Sequence, residues 1–197
     1  MKVYTEDFGQ KLATGPVKVC QLERELDLVL EIYRSIRPAR VLELGTAEGG
    51  TLYHWLQNAE PWTHVVTVDL PDPRYEPSEH LYDSWLPDGV AVTQIRGDTH
   101  DPVTRQACKE HGPFDWLFID AAHTYEDARQ DWDDYAPLMR PGGMVLLHDI
   151  SLVRTYDDGS EAGVWRLWRE IQASGYLTRE LRADMNVPAY GIGVVRV

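Results

Sequence analysis

Apolar and polar positions follow two rhythms along this chain. Continuous apolar or β-branched runs recur at 40–45, 64–69, 90–95, 114–119 and 144–147, with helically spaced stretches between them. Such runs mark strands buried on both faces of a sheet. From Val19, the residues Leu22, Leu26, Val29, Leu30 and Tyr33 form one helical face among Glu23, Arg24, Glu25 and Asp27, and Pro38 ends it. After the run Arg40–Gly45 comes a glycine-rich turn, Thr46–Gly50, and then Leu52, Tyr53, Trp55 and Leu56 begin a helix. Asp101-Pro102 starts a helix carrying Val103 and Ala107. Thr124 with Asp127 resembles a capping box, ahead of Tyr125, Ala128, Trp132 and Tyr135. Pro141-Gly142-Gly143 is expected to break that helix before a strand at Met144–Leu147. Beyond the polar loop 151–159, Val164, Leu167, Trp168 and Ile171 predict a helix stopped by Gly175, and Leu177–Leu181 and Tyr190–Val197 predict two closing strands. Seven strands alternating with helices make this an α/β chain.

At 197 residues the chain suits one domain, expected over 19–197 behind a loosely attached arm at 1–18. A net charge of −13 argues against nucleic acid and against anionic membrane surfaces as partners. No apolar run approaches the ~20 residues needed to span a bilayer, and the first residues lack the apolar core of a signal peptide. Cys20 and Cys108 have no metal-type spacing and read as buried free thiols. A cytoplasmic location is the expectation.

The strand ends carry the candidate chemistry. In open α/β sheets, ligands bind at the C-terminal strand edge. There the sequence places Asp120 with His123 close behind it, and His148 beside Asp149. A single Asp after a strand commonly does no more than cap a turn; two, each with a histidine, point to a site. Asp69 ends a strand about two dozen residues after Gly45, the placement of a carboxylate that holds ribose hydroxyls. Asp98 and Thr99 follow the next strand, where an adenine edge can be met. The segment 70–89, with four prolines, has the character of a lid or a disordered insertion, and Tyr75, Tyr82 and Trp85 give it apolar material to close over a pocket.

The turn discriminates between nucleotides. A dinucleotide fingerprint needs glycine where the pyrophosphate approaches the backbone, whereas this chain reads Gly45-x-Ala47-x-x-Gly50, with Glu48 in the turn. A methyl group and a carboxylate both oppose a pyrophosphate. A ligand with a cationic centre and no phosphate, such as S-adenosylmethionine, fits better.

Val41-Leu42-Glu43-Leu44-Gly45-Thr46-Ala47-Glu48-Gly49, with Val68-Asp69, Gly97-Asp98 and Phe118-Ile119-Asp120, resembles the motif series of class I S-adenosylmethionine-dependent methyltransferases. The stretches 119–126, 138–143 and 147–150, and the closing Gly191–Val195, are similar to the small-molecule O-methyltransferase branch, which includes sugar, natural-product and catechol enzymes. The resemblance runs from about Val19 to the end of the sequence. It implies a Rossmann-like, doubly wound, seven-stranded and mostly parallel sheet with an antiparallel last strand and helices on both faces. It also implies a cofactor site at Glu43, Gly45, Thr46, Gly49, Asp69, Leu70, Asp98, Thr99 and Asp120.

Methyl transfer to a hydroxyl needs alignment and deprotonation. Asp120 and Asp149 offer oxygen ligands suited to Mg²⁺, with a third ligand from His148, His123 or water; a histidine in the set favours softer ions such as Mn²⁺, Fe²⁺ or Zn²⁺. In catechol O-methyltransferases a lysine stands at the spacing His123 has from Asp120, which makes His123 a candidate base; the alternatives are a metal ligand or a structural partner. Those enzymes have an asparagine after the second Asp, where this chain has Ile150. The partner expected is a small molecule bearing an acceptor hydroxyl, in a pocket shaped by 70–89 and 151–162, and surface aromatics would suit a homodimer. Two other functions compete: a nicotinamide-dependent oxidoreductase on a similar fold, and a cofactor-binding module without catalysis.

Overall fold

The hydrophobic runs pair into one sheet with both faces covered. The computed structural model describes residues 12–75, 80–183 and 190–197. In chain order these form α1 (Glu23–Ile36), β1 (Arg40–Leu44), α2 (Gly50–Gln57), β2 (His64–Asp69), a 3-10 turn (Tyr82–Trp85), β3 (Ala91–Arg96), α3 (Pro102–His111), β4 (Phe114–Ile119), α4 (Tyr125–Tyr135), a second 3-10 turn (Ala136–Leu138), β5 (Met139–Leu147), α5 (Val164–Ala173), β6 (Leu177–Leu181) and β7 (Ile192–Arg196). The sheet order is β3-β2-β1-β4-β5-β7-β6. β7 runs antiparallel to both its neighbours, and the other pairings are parallel. The seven-stranded doubly wound sheet implied by the sequence is therefore present.

Alternate residues of each strand face opposite layers. Val41, Trp116, Phe118 and Leu146 pack under α1 and α2, while Leu42, Leu44, Leu117, Ile119 and Leu147 pack under the layer of α4 and α5. The first layer centres on aromatics: Tyr33 stacks on Trp55 at 5.3 Å and meets Trp116 edge-on at 5.2 Å. Local signals set the helix starts. Asp101 accepts from Val103 N–H at 2.8 Å, and Thr124 accepts from Asp127 N–H at 3.2 Å while donating to the Asp127 carboxylate at 2.6 Å. Both match the sequence reading.

Three expectations are corrected. Pro141-Gly142-Gly143 does not break a helix; α4 has already ended at Tyr135, and the three residues lie inside β5. The register shifts between Phe114↔Met139 and Trp116↔Met144, so the irregular part of the pairing accommodates a proline that cannot donate. Cys20 is exposed rather than buried; Cys108 is buried as expected. Within the expected lid, Tyr82 and Trp85 are buried against the α2 layer, and Gln57 Nε2 donates to Trp85 O at 2.7 Å. Residues 76–79 of that segment lie outside the described residues, as do 1–11 of the arm. Leu12 to Lys18 are described: Leu12 bridges to Leu22, and Ala13 and Val17 pack against the α1–α2 core. Among the described residues no helix is long and apolar enough to cross a membrane.

Candidate active site

Parallel register lines up the strand ends. Leu44 pairs with Val68 and Ile119, Ile119 with Leu147, and Asp69 with Arg96. The next residues of each strand therefore meet along one edge, and β1 and β4 flank the point where the winding reverses. Gly45 sits at that point with φ +90°, and a Cβ there would lie 2.1 Å from the Asp120 carbonyl oxygen. Only glycine allows the two loops to approach so closely.

A cavity of about 560 Å³ opens along this edge. Of the residues expected at the cofactor, Gly45, Thr46, Asp69, Leu70, Asp98, Thr99 and Asp120 line it, and so do His123, His148 and Asp149. Asp69 Oδ2 accepts from Ala47 N–H at 2.6 Å and Oδ1 from Leu70 N–H at 2.7 Å. Burial pushes the Asp69 carboxyl above its ordinary range, against these hydrogen bonds. The Ala47 N–H that a pyrophosphate would use is thus already engaged, which agrees with the discrimination drawn from the turn sequence. Asp98 accepts from His100 N–H at 2.9 Å.

Two expected cofactor residues lie elsewhere. Glu43 is fully buried beneath α2, accepting from Trp55 Nε1 at 2.9 Å and from Thr67 Oγ1 at 2.9 Å. Burial raises its pKa to about 8, against the two hydrogen bonds. It faces away from the cavity because successive residues of β1 alternate between layers. Gly49 caps α2 beneath the Tyr82 ring rather than lining the cavity.

At the β4 and β5 ends, side chains hold one another. One ligand atom each from Asp120, His123 and Asp149 lies within 4.8 Å of the others. His123 Nδ1 is 3.5 Å from Asp149 Oδ2. His148, expected among metal ligands, is instead a partner of the carboxylates: Nδ1 is 3.1 Å from Asp120 Oδ1 and 3.4 Å from Asp149 Oδ1. Burial works to lower its pKa, but the carboxylates of Asp120 and Asp149 outweigh it and raise it to about 10, so the ring donates to Asp120. On the other oxygen, Gln21 Nε2 donates to Asp120 Oδ2 at 2.7 Å. Asp149 takes φ +60°, a left-handed conformation that aspartate tolerates better than most residues. The His123 ring stacks with Tyr156 at 6.4 Å, Arg154 lies over Tyr156 at 5.0 Å, and Gly163 N–H donates to His123 O at 2.7 Å. The 151–162 loop is thereby tied to the histidine.

The sequence reading missed Gln21 and Tyr190, which also line the cavity. No periodicity or motif marks either of them. Tyr190 carries φ +60° beside Gly191, and this strain is visible only in three dimensions.

A family model described as "Methyltransferase domain" matches residues 42–150, over half of the chain. The chain belongs to this methyltransferase-domain family. The mycinamicin VI 2''-O-methyltransferase of Micromonospora griseorubida is 26% identical over 126 residues, covering 60% of this chain and 28% of that protein. The chain spans at most 28% of the length of the curated relatives it matches. Among solved structures, the O-methyltransferase TomG of Streptomyces achromogenes, in complex with SAM, has a TM-score of 0.71 at 23% identity, covering 94% of this chain and 82% of TomG. The methyltransferase MycE of the mycinamycin pathway, in complex with Mg and SAH, has a TM-score of 0.58 at 19% identity, covering 86% of this chain and 47% of MycE. These structures share the fold. Membership in the methyltransferase family bears out the resemblance seen in the strand-end motifs and disfavours the nicotinamide alternative.

Proposed function

We propose that this chain transfers a methyl group from S-adenosylmethionine to a hydroxyl of a sugar or other small molecule, with a divalent cation at Asp120 and Asp149. The observation that carries this reading is continuity: one cavity runs from Asp98 and Asp69, past Gly45, to Asp120, His123 and Asp149. The residues fit both groups. The cofactor end offers carboxylates for hydroxyl and amino groups and no free turn amide at Ala47 for a phosphate. The other end offers two carboxylates and an imidazole within one coordination sphere's reach. The relative with a 2''-O-methyltransferase name and the fold neighbour solved with Mg and SAH support the hydroxyl acceptor and the cation.

When bound, S-adenosylmethionine supplies a methyl group on a sulfonium, and a divalent cation lowers the pKa of a hydroxyl within reach. Asp69 would hold the ribose, Asp98 and Thr99 would flank the adenine, and Gly45 would line the amino-acid end. Asp120 and Asp149 hold the cation. His123, oriented by Asp149 and stacked by Tyr156, takes the acceptor's proton at a ring nitrogen. With the methyl group supplied by the bound cofactor, the acceptor oxygen would receive it while its proton would rest on His123.

The 4.8 Å grouping of Asp120, His123 and Asp149 favours a second role for His123, as third ligand to a softer ion such as Mn²⁺. His123→Gln separates the two. A base gives turnover lower by about a hundredfold or more with Mn²⁺ affinity kept; a ligand gives weakened Mn²⁺ binding.

The test of the whole reading is calorimetry with S-adenosylmethionine and with NAD, followed by mass spectrometry of a panel of hydroxylated sugars and catechols with and without chelator. Binding of S-adenosylmethionine alone and cation-dependent methylation are expected. Binding of NAD instead would overturn the reading, and methylation that survives exhaustive chelation would remove the cation from it. Cofactor binding with no acceptor methylated and no cation bound would leave a non-catalytic module.

A further inference from the structure

Gln21 lies just before α1, far in sequence from every strand end, yet it is 2% exposed and both its amide nitrogen and its amide oxygen are hydrogen-bonded at the site. Thr51 Oγ1, in the first turn of α2, donates to Gln21 Oε1 at 2.6 Å, and Gln21 Nε2 donates to Asp120 Oδ2 at 2.7 Å. The orientation of the amide follows from chemistry. An ionised carboxylate can only accept, so the NH₂ must face Asp120 and the carbonyl oxygen must face the Thr51 hydroxyl. With His148 on Oδ1, both oxygens of Asp120 are held by side chains from different parts of the chain.

We propose that Gln21 is a positioning residue for Asp120: it fixes the carboxylate in the orientation that the cation requires and links that orientation to the α2 turn lining the cofactor end of the cavity. The inference rests on the cation reading above. Two purely structural alternatives are weaker. A buried glutamine can serve only to satisfy itself, but then nothing requires its partner to be the carboxylate at the switch point of the sheet. The segment also has a separate anchor, because Ala13 N–H donates to Gln21 O at 2.9 Å and so holds the backbone without the side chain. The side chain is therefore free to serve the site. Groups that orient a ligating carboxylate typically govern metal affinity by about ten- to a hundredfold.

The experiment is a Mn²⁺ titration of the full chain, by calorimetry and by electron paramagnetic resonance, comparing wild type with Gln21→Met and Thr51→Val. Gln21→Met keeps the length and removes both hydrogen bonds. It is expected to raise the Mn²⁺ dissociation constant by about tenfold and to change the zero-field splitting of bound Mn²⁺, with the near-ultraviolet circular dichroism retained. A loss of global stability alone would not alter that spectrum. Thr51→Val removes only the outer hydrogen bond and is expected to give the same change in smaller measure, about two- to threefold. It carries the test should Gln21→Met fail to fold. Unchanged Mn²⁺ affinity and spectrum in a folded variant, with wild type binding Mn²⁺, would overturn the positioning role alone. Absence of Mn²⁺ binding by wild type would overturn the cation reading, and this inference with it.

Discussion

The two ends of the cavity are held together in different ways. Where β2 and β3 end, the carboxylates are fixed by backbone: Asp69 by the amides of Ala47 and Leu70, Asp98 by the amide of His100. Where β4 and β5 end, side chains fix one another: Asp120 is held by Gln21 and His148, and Asp149 lies against His148 and His123. The amides of Leu70 and His100 lie within two residues of the carboxylates they hold, and that of Ala47 comes from the β1–α2 turn. The first end therefore depends on backbone placement rather than on side-chain partners. The second depends on partners brought from the start of α1 and from the loops, and a single substitution among them is felt by the rest.

Gly45 stands at the junction, so Gly45→Ala is the change that should break both ends. The added methyl meets the Asp120 carbonyl at 2.1 Å and the φ of +90° is unfavourable for alanine. We expect a stability loss on the order of 3 kcal/mol or more, together with loss of S-adenosylhomocysteine binding, read by thermal denaturation and calorimetry. Asp149→Asn keeps a residue that tolerates the left-handed conformation and should break only the second end. Turnover is expected to fall by about a hundredfold or more while S-adenosylhomocysteine binds within about threefold of wild type. Equal loss of both would contradict the division.

Asp69→Ala is the reciprocal cut. S-adenosylhomocysteine affinity should fall by about ten- to a hundredfold, as for loss of hydrogen bonds to a charged group, with Mn²⁺ affinity kept. The smallest effect on the site is expected from Glu43→Gln, because Glu43 lies under α2 and outside the cavity. Its effect is on stability. Burial raises the Glu43 pKa from 4.5 to about 8, so between these values the folded state holds a proton that the unfolded state has released. Stability contributed by this group therefore falls as pH rises through that window. Glutamine keeps both hydrogen-bonding positions and removes the titration. Urea denaturation should show the variant gaining on wild type from pH 5 to pH 8, by a few kcal/mol in order of magnitude, with S-adenosylhomocysteine affinity unchanged.

Most of the fold and part of the site are legible in the order of residues alone. β2, β4 and β6 occupy the expected residues, and the caps at Asp101 and Thr124 form as expected, because each depends on a short-range pattern. Expectations fail where tertiary context overrides a local signal. Pro141-Gly142-Gly143 carries strong turn chemistry, yet it lies inside β5, in the irregularity between the pairs Phe114↔Met139 and Trp116↔Met144. Glu43 shares a motif with Gly45, but alternation along β1 sends its side chain to the opposite layer from the neighbouring Leu42 and Leu44. Tyr82 and Trp85, suited to a lid, find a better apolar environment against α2.

By itself, the sequence determined which strand ends would carry acid, glycine and histidine, because hydrophobic runs define strands and the residue after each run must emerge at the edge. It also argued against a pyrophosphate, since Ala47 and Glu48 are properties of the turn alone. The tertiary structure decided which of those groups meet. Register placed Asp120 between Gly45 and His148, His123 joined both carboxylates within 4.8 Å while His148 hydrogen-bonded to Asp120, and Gln21 arrived from 99 residues away to hold Asp120. The physical reason is range: strand and turn propensities act over a few residues, whereas the orientation of a buried carboxylate is set by whichever donors the packed chain brings to it.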